Sequence, residues 1–211
     1  MLEVSDEGKV VGFIRLSGEE AEELKKMNIF QRHRNVIMVY TAFFAGMVLT
    51  QTILYMMIPE NWSQKLFEDQ VNQINLIRGR ATFGGTFFTI LFNNSGVLVL
   101  SFLFSFLFGA GAIFILAWNA SVLSVAIGMT AKSLGGFKGI PLAILTFFPH
   151  GSLEILAYFI GGIAGGLASV ALTKRRTEKF GFIIRDSLEM MVAAFALLVI
   201  AAAIETIIIV A

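Results

Sequence analysis

The stretch ATFGGTFFTILFNNSGVLVLSFLFSFLFGAGAIFILAWNASVLSVAIGMTA, residues 81–131, carries no charged side chain over 51 residues. As one helix it would be about 75 Å long at 1.5 Å per residue, more than twice the roughly 30 Å of a bilayer's hydrocarbon core. It therefore crosses a membrane twice, and Gly109 and Gly111 in FGAG mark the place where it turns.

Three further tracts satisfy the same length criterion. Residues 36–58 carry no charge, residues 139–173 carry Glu154 and His150, and residues 188–211 carry only Glu189 and Glu205. The reading is an all-α, polytopic transmembrane bundle with spans near 36–58, 95–110, 112–131, 149–172 and 188–210. The composition agrees, because 56% of the 211 residues are hydrophobic and 15% are charged, too apolar to cover a soluble domain of this size. The bilayer is thus the first expected partner. A net charge of +1 argues against nucleic acid, which needs clustered positive charge. The chain has no cysteine, which removes disulfides, thiolate metal sites and cysteine nucleophiles, and no cofactor is expected.

Lysine and arginine collect on the cytoplasmic side of short membrane loops. Lys25, Lys26, Arg32 and Arg34 precede the first span, and Lys174, Arg175, Arg176, Lys179 and Arg185 form the strongly basic connection. Both regions are expected inside. Residues 59–80 and 132–138 then lie outside, and five spans in a cell membrane put the N-terminus in the cytoplasm and the C-terminus outside. The opening residues MLEVSDEGKVVGFIRL contain no apolar run after a basic start, so no cleaved signal peptide is expected and the first span acts as the targeting signal. The chain divides into residues 1–34, a cytoplasmic segment with a β-type run VVGFIRL and a capping-box helix from Ser17-Gly-Glu-Glu20 through Leu24 and Met27, and residues 35–211, the membrane domain.

Two apolar pieces, 82–92 and 140–148, are too short to cross alone. One ends at Asn93-Asn94 and the other at Pro149-His150-Gly151. They read either as broken, re-entrant half-helices beside a functional interior or as helices lying in the interface.

The stretch FFPHGSLEILAYFIGGIAGGLAS, residues 147–169, concentrates the chemistry. Pro149 and Gly151 suggest a helix break or start, and His150 and Glu154 are spaced to share one helix face. Counted back from Lys174, Glu154 falls about 30 Å away, near the outer edge of the core. An ionisable pair in a span is a candidate for metal binding, proton relay or a polar ligand. The bland alternative is that Glu154 complements a helix N-terminus while His150 bonds a neighbouring backbone. Two residues do not make a metal site, and no HExxH or GxSxG motif is present, so neither metal nor catalysis is expected. Gly161, Gly162, Gly165 and Gly166 form overlapping GxxxG patterns for close helix packing, within the chain in preference to a dimer. Asn93, Asn94 and Asn119 need hydrogen-bond partners in apolar surroundings and read as glue between helices. Glu205 either reaches the interface or pairs inward.

Four motifs, LFNNSGVLVL, FGAG, LAWNASVLSVAIG and PHGSLEILAYFIGGIAGG, resemble the stage II sporulation protein M family of integral membrane proteins over roughly residues 35–211. The most specific part is Pro149-His150-Gly151 followed by Glu154. The resemblance implies a multi-span fold and a non-enzymatic scaffold or accessory subunit with a membrane-protein partner or a second copy. The founding members serve in this way for peptidoglycan-degrading partners at the septal membrane. The alternative function is a transporter, channel or permease component whose polar cavity is lined by His150 and Glu154.

Overall fold

The computed structural model describes residues 2–4, 10–12, 31, 33–78, 83–109, 111–173 and 177–210. Two three-residue strands, β1 (Leu2–Val4) and β2 (Val10–Gly12), pair antiparallel with Leu2 opposite Gly12. The expected helix over residues 17–27 lies outside the described residues. Everything else described is helix or turn. Five helices have the length and apolar character to cross a membrane. They are α1 (Arg34–Met57), α4 (Phe83–Phe108), α5 (Ala112–Ser133), α6 (Ile140–Thr173) and α7 (Thr177–Val210). Two short helices, α2 (Glu60–Leu66) and α3 (Glu68–Arg78), join α1 to α4.

The uncharged tract turns where glycine allows it. α4 ends at Phe108, and Gly109 takes φ +70°, the left-handed conformation that costs a side chain energy. Gly111 follows because a Cβ there would overlap the Phe104 carbonyl. Ser105 Oγ accepts the Ala112 N–H at 3.1 Å, which gives one of the free donors at the start of α5 a partner.

The helices run further than their apolar cores suggest. The pieces 82–92 and 140–148 are not separate half-helices: from Phe83 and Ile140 onward they are the first turns of α4 and α6. Asn93-Asn94 does not end α4, because both amides find partners outside the helix. Pro149 sits inside α6, lacking an N–H for the Leu145 carbonyl, yet the helix continues through it. Proline is tolerated within membrane helices, where small local adjustments and neighbouring groups re-satisfy the backbone. α7 likewise starts at Thr177, so Lys179 and Arg185 lie within helix rather than in a loop. Arg185 Nε and Glu189 Oε1, one turn apart, are 2.9 Å from each other on its exposed face.

α6 is the axis of the bundle. In its most apolar window 72% of residues are buried, against 17% for α1, and α6 packs on α1, α4, α5 and α7. The glycine stripe makes this possible. A Cβ at Gly161 would strike the Leu98 side chain, and one at Gly165 would overlap the Phe102 carbonyl, both on α4. A Cβ at Gly162 would come within 2.7 Å of the Ala112 Cβ on α5. Gly166 is buried beside them. Three of these glycines thus meet neighbours within the chain, as small residues do at membrane helix interfaces, where polar and van der Waals contacts replace the hydrophobic drive. α1 is tied to α5 by hydroxyls: Ser124 Oγ donates to the Ala120 carbonyl at 2.5 Å and lies 3.2 Å from the Val48 carbonyl, while Thr52 Oγ1 donates to the Ser124 carbonyl at 3.3 Å.

Two substitutions separate packing glycines from permissive ones. Gly165→Ala should destabilise the bundle by about 1–3 kcal/mol, because the Phe102 backbone has to move. Gly96→Ala, where nothing lies within 4 Å of a new Cβ, should be neutral or stabilising by up to about 1 kcal/mol. Thermal unfolding of the two purified variants beside the unaltered protein checks both.

Candidate functional site

A partly open cavity of about 370 Å³ lies at the end of the bundle where α2 and α3 sit. On α6 its lining runs from Thr146 to Tyr158 and stops there; on α4 it spans Ile90 to Val97, and on α7 it takes Glu205, Ile208 and Ile209. Beyond Tyr158 the glycine stripe brings α6 against α4 and α5. Among the described residues, its lining on α6 goes no further than Tyr158.

Its polar wall is a chain of amides leading to a carboxylate. Gln73 Nε2 on α3 donates to Asn93 Oδ1 at 2.8 Å, Asn93 Nδ2 donates to Asn94 Oδ1 at 3.2 Å, and Asn94 Nδ2 donates to Glu154 Oε1 at 2.6 Å. Each amide gives hydrogens in one direction, so each polarises the next and the donor character is delivered to the carboxyl group. Across from α4, Glu205 on α7 lines the same cavity as Glu154. His150 Nε2 lies 4.0 Å from Glu205 Oε1, and the His150 ring meets Phe147 edge-on at 6.1 Å. His150 is only 5% exposed, and its Nδ1 has no hydrogen-bond partner.

The structure brings together most of the residues expected to form a site and changes their relations. His150 faces Glu205 on α7 rather than a backbone group on its own helix. Glu154 stands near the middle of α6, 14 residues from Ile140 and 19 from Thr173, so it does not cap a helix N-terminus. Pro149 is exposed, and Gly151 is buried with nothing within 4 Å of a would-be Cβ, so its missing side chain leaves space in the cavity. Asn93 and Asn94 do join elements, to α3 and α6. Asn119 does not: its Nδ2 donates to the Ile115 carbonyl of its own helix at 2.8 Å, although the residue lines the cavity. Glu205 pairs inward.

α3 is the part that sequence reasoning passed over. Its sequence EDQVNQINLIR is polar and lay in a segment read as a connection. Gln70, Gln73 and Ile74 share one face by their i, i+3, i+4 spacing. Gln70 Nε2 donates to Ser121 Oγ of α5 at 2.8 Å, and Ile74 is buried against Val125 and Ala126. Neighbouring contacts pin this end: Tyr55 packs on Phe67 at 5.4 Å, and Lys132 Nζ sits 4.5 Å over the Tyr55 ring. Among the described residues, no group of three His, Cys, Asp or Glu side chains is arranged to hold a metal ion.

Five apolar helices around a cavity that gathers His150, Glu154 and Glu205 define a multi-pass helical membrane protein. The profile of the family described as stage II sporulation protein M matches residues 34–208, and the chain belongs to that family. No curated protein and no solved structure matches it.

The two asparagines predict different losses. Asn94→Leu should cost about 1–3 kcal/mol, because it strips the buried Glu154 carboxyl of its donor. Asn119→Leu should cost less than about 1 kcal/mol, since it removes a bond within one helix. Equilibrium unfolding of both variants in mild detergent with increasing dodecyl sulfate provides the comparison.

Proposed function

We propose that this protein is a non-enzymatic membrane scaffold or accessory subunit, in keeping with its membership of the stage II sporulation protein M family. The observation that carries the reading is where the described lining of the cavity ends. A conduit needs a polar path through the bundle, and here the described lining on α6 stops at Tyr158, beyond which the α6 glycines bring helix backbones together. Such a cavity holds a group in place and does not pass one on. The carboxyl groups, the imidazole and the amides act as fixed contacts in it, positioned by α3, α4, α5, α6 and α7. The protein is placed in the cell membrane with residues 1–34 on the cytoplasmic side and the α2–α3 end outside, following the lysines and arginines at 25–34 and 174–185. Its partner is a membrane protein held along the sparsely covered α1, where Leu49 and Ile53 are exposed.

Two measurements test this together. In liposomes, the purified protein should pass protons and potassium no faster than protein-free vesicles. A flux abolished by Glu154→Gln would overturn the reading in favour of transport. In native membranes, photo-crosslinkers at Leu49 and Ile53 should give one discrete adduct with a second protein. Adducts with lipid alone would remove the partner.

A further inference from the structure

The cavity has an acidic, aromatic lining whose occupant the scaffold reading leaves unspecified. Glu154 and Glu205 supply acceptors from two helices, and among the described residues no lysine or arginine lines the space, so a cation is favoured over an anion. Trp118, Phe147 and Tyr158 form apolar and π-bearing wall, the surroundings in which organic cations are held. His150, 95% buried in the same wall, leaves Nδ1 without a partner, and a buried polar atom in that state calls for a ligand or water to complete it. Gly151 leaves room beside it. About 370 Å³ suits a small organic molecule rather than a bare ion, and the described residues offer no three-ligand metal arrangement.

We propose that this cavity binds a primary ammonium group, carried by a free amine or by an amine-bearing lipid headgroup, seated between Glu154 and Glu205 in exchange for one proton. Glu154 and Glu205 share one largely apolar cavity, where two neighbouring carboxyl groups cannot both be ionised, so one of them carries a hydrogen. The ligand enters as R–NH3+, that hydrogen leaves to solvent as a proton, and both carboxylates accept N–H bonds from the ammonium. No covalent bond forms, and the net charge of the cavity is unchanged. Around the pair, the titratable lining groups among the described residues are His150 and Tyr158, both on α6; the described residues of α1, α3, α4 and α5 contribute none. The inference concerns the ligand of the cavity and is independent of the partner held along α1.

The test is calorimetric titration of the full chain in phosphatidylcholine nanodiscs with phenethylammonium, in two buffers of different protonation heat. The result expected is saturable 1:1 binding with about one proton released per ligand, and at least about tenfold weaker binding of the neutral 2-phenylethanol. Glu154→Gln and Glu205→Gln should each weaken the amine by at least about tenfold. Gly151→Leu, which fills cavity space while leaving both carboxyl groups, should do the same and carries the test if a glutamate variant fails to fold. Adding phosphatidylethanolamine to the discs should weaken the amine if the headgroup is the natural occupant and leave it unchanged if a free amine is. Absence of saturable binding, equal affinity for 2-phenylethanol, or no difference between buffers would overturn the proposal.

Discussion

A carboxyl group in the middle of a membrane helix has to be met by other polar groups, and the arrangement of this bundle follows from how Glu154 is met. Water cannot solvate it freely among apolar helices, and leaving it unpaired would cost several kcal/mol on the order of any buried charge. Three helices converge to prevent that. α4 brings Asn94 at 2.6 Å, α7 brings Glu205, and α6 brings His150 one turn away to face Glu205. The chain of donors extends to α3 through Asn93 and Gln73, which explains why a polar helix packs into an otherwise apolar assembly.

The two halves of α6 divide the work. From Gly161 to Ala168 it is all small or aliphatic and buried, and helix backbones approach closely. From Thr146 to Tyr158 it carries every ionisable group of the helix, and its neighbours stand back to leave a cavity. Close packing in one half holds the helices in register, and the hydrogen bonds in the other half hold the polar groups. This is the supporting role that a scaffolded site requires.

The spans were legible because charge is so rare that each uninterrupted tract declares itself, and FGAG showed where the longest one turns. The site was half legible. Asn93, Asn94, His150 and Glu154 stood out as polar groups in apolar tracts, yet their partners did not, since pairing across 50 or 60 residues leaves no mark on local sequence. Pro149 misled, because a proline rule drawn from helices in water is weaker in a membrane, and the helix was started nine residues late. α3 was missed because EDQVNQINLIR has the composition of a loop; the shared face of Gln70, Gln73 and Ile74 was the available sign.

The central claim is that Asn94, Glu154 and Glu205 act as one unit joining α4, α6 and α7. A double-mutant cycle pairing Asn94→Ala with Glu154→Gln, repeated for Glu154→Gln with Glu205→Gln and read as unfolding free energy in bicelles, measures that directly. The account predicts a coupling of roughly 0.6–1.7 kcal/mol in each cycle, the range found for polar contacts between membrane helices. Additive losses in both cycles, within about 0.3 kcal/mol, would show three residues that merely lie near one another.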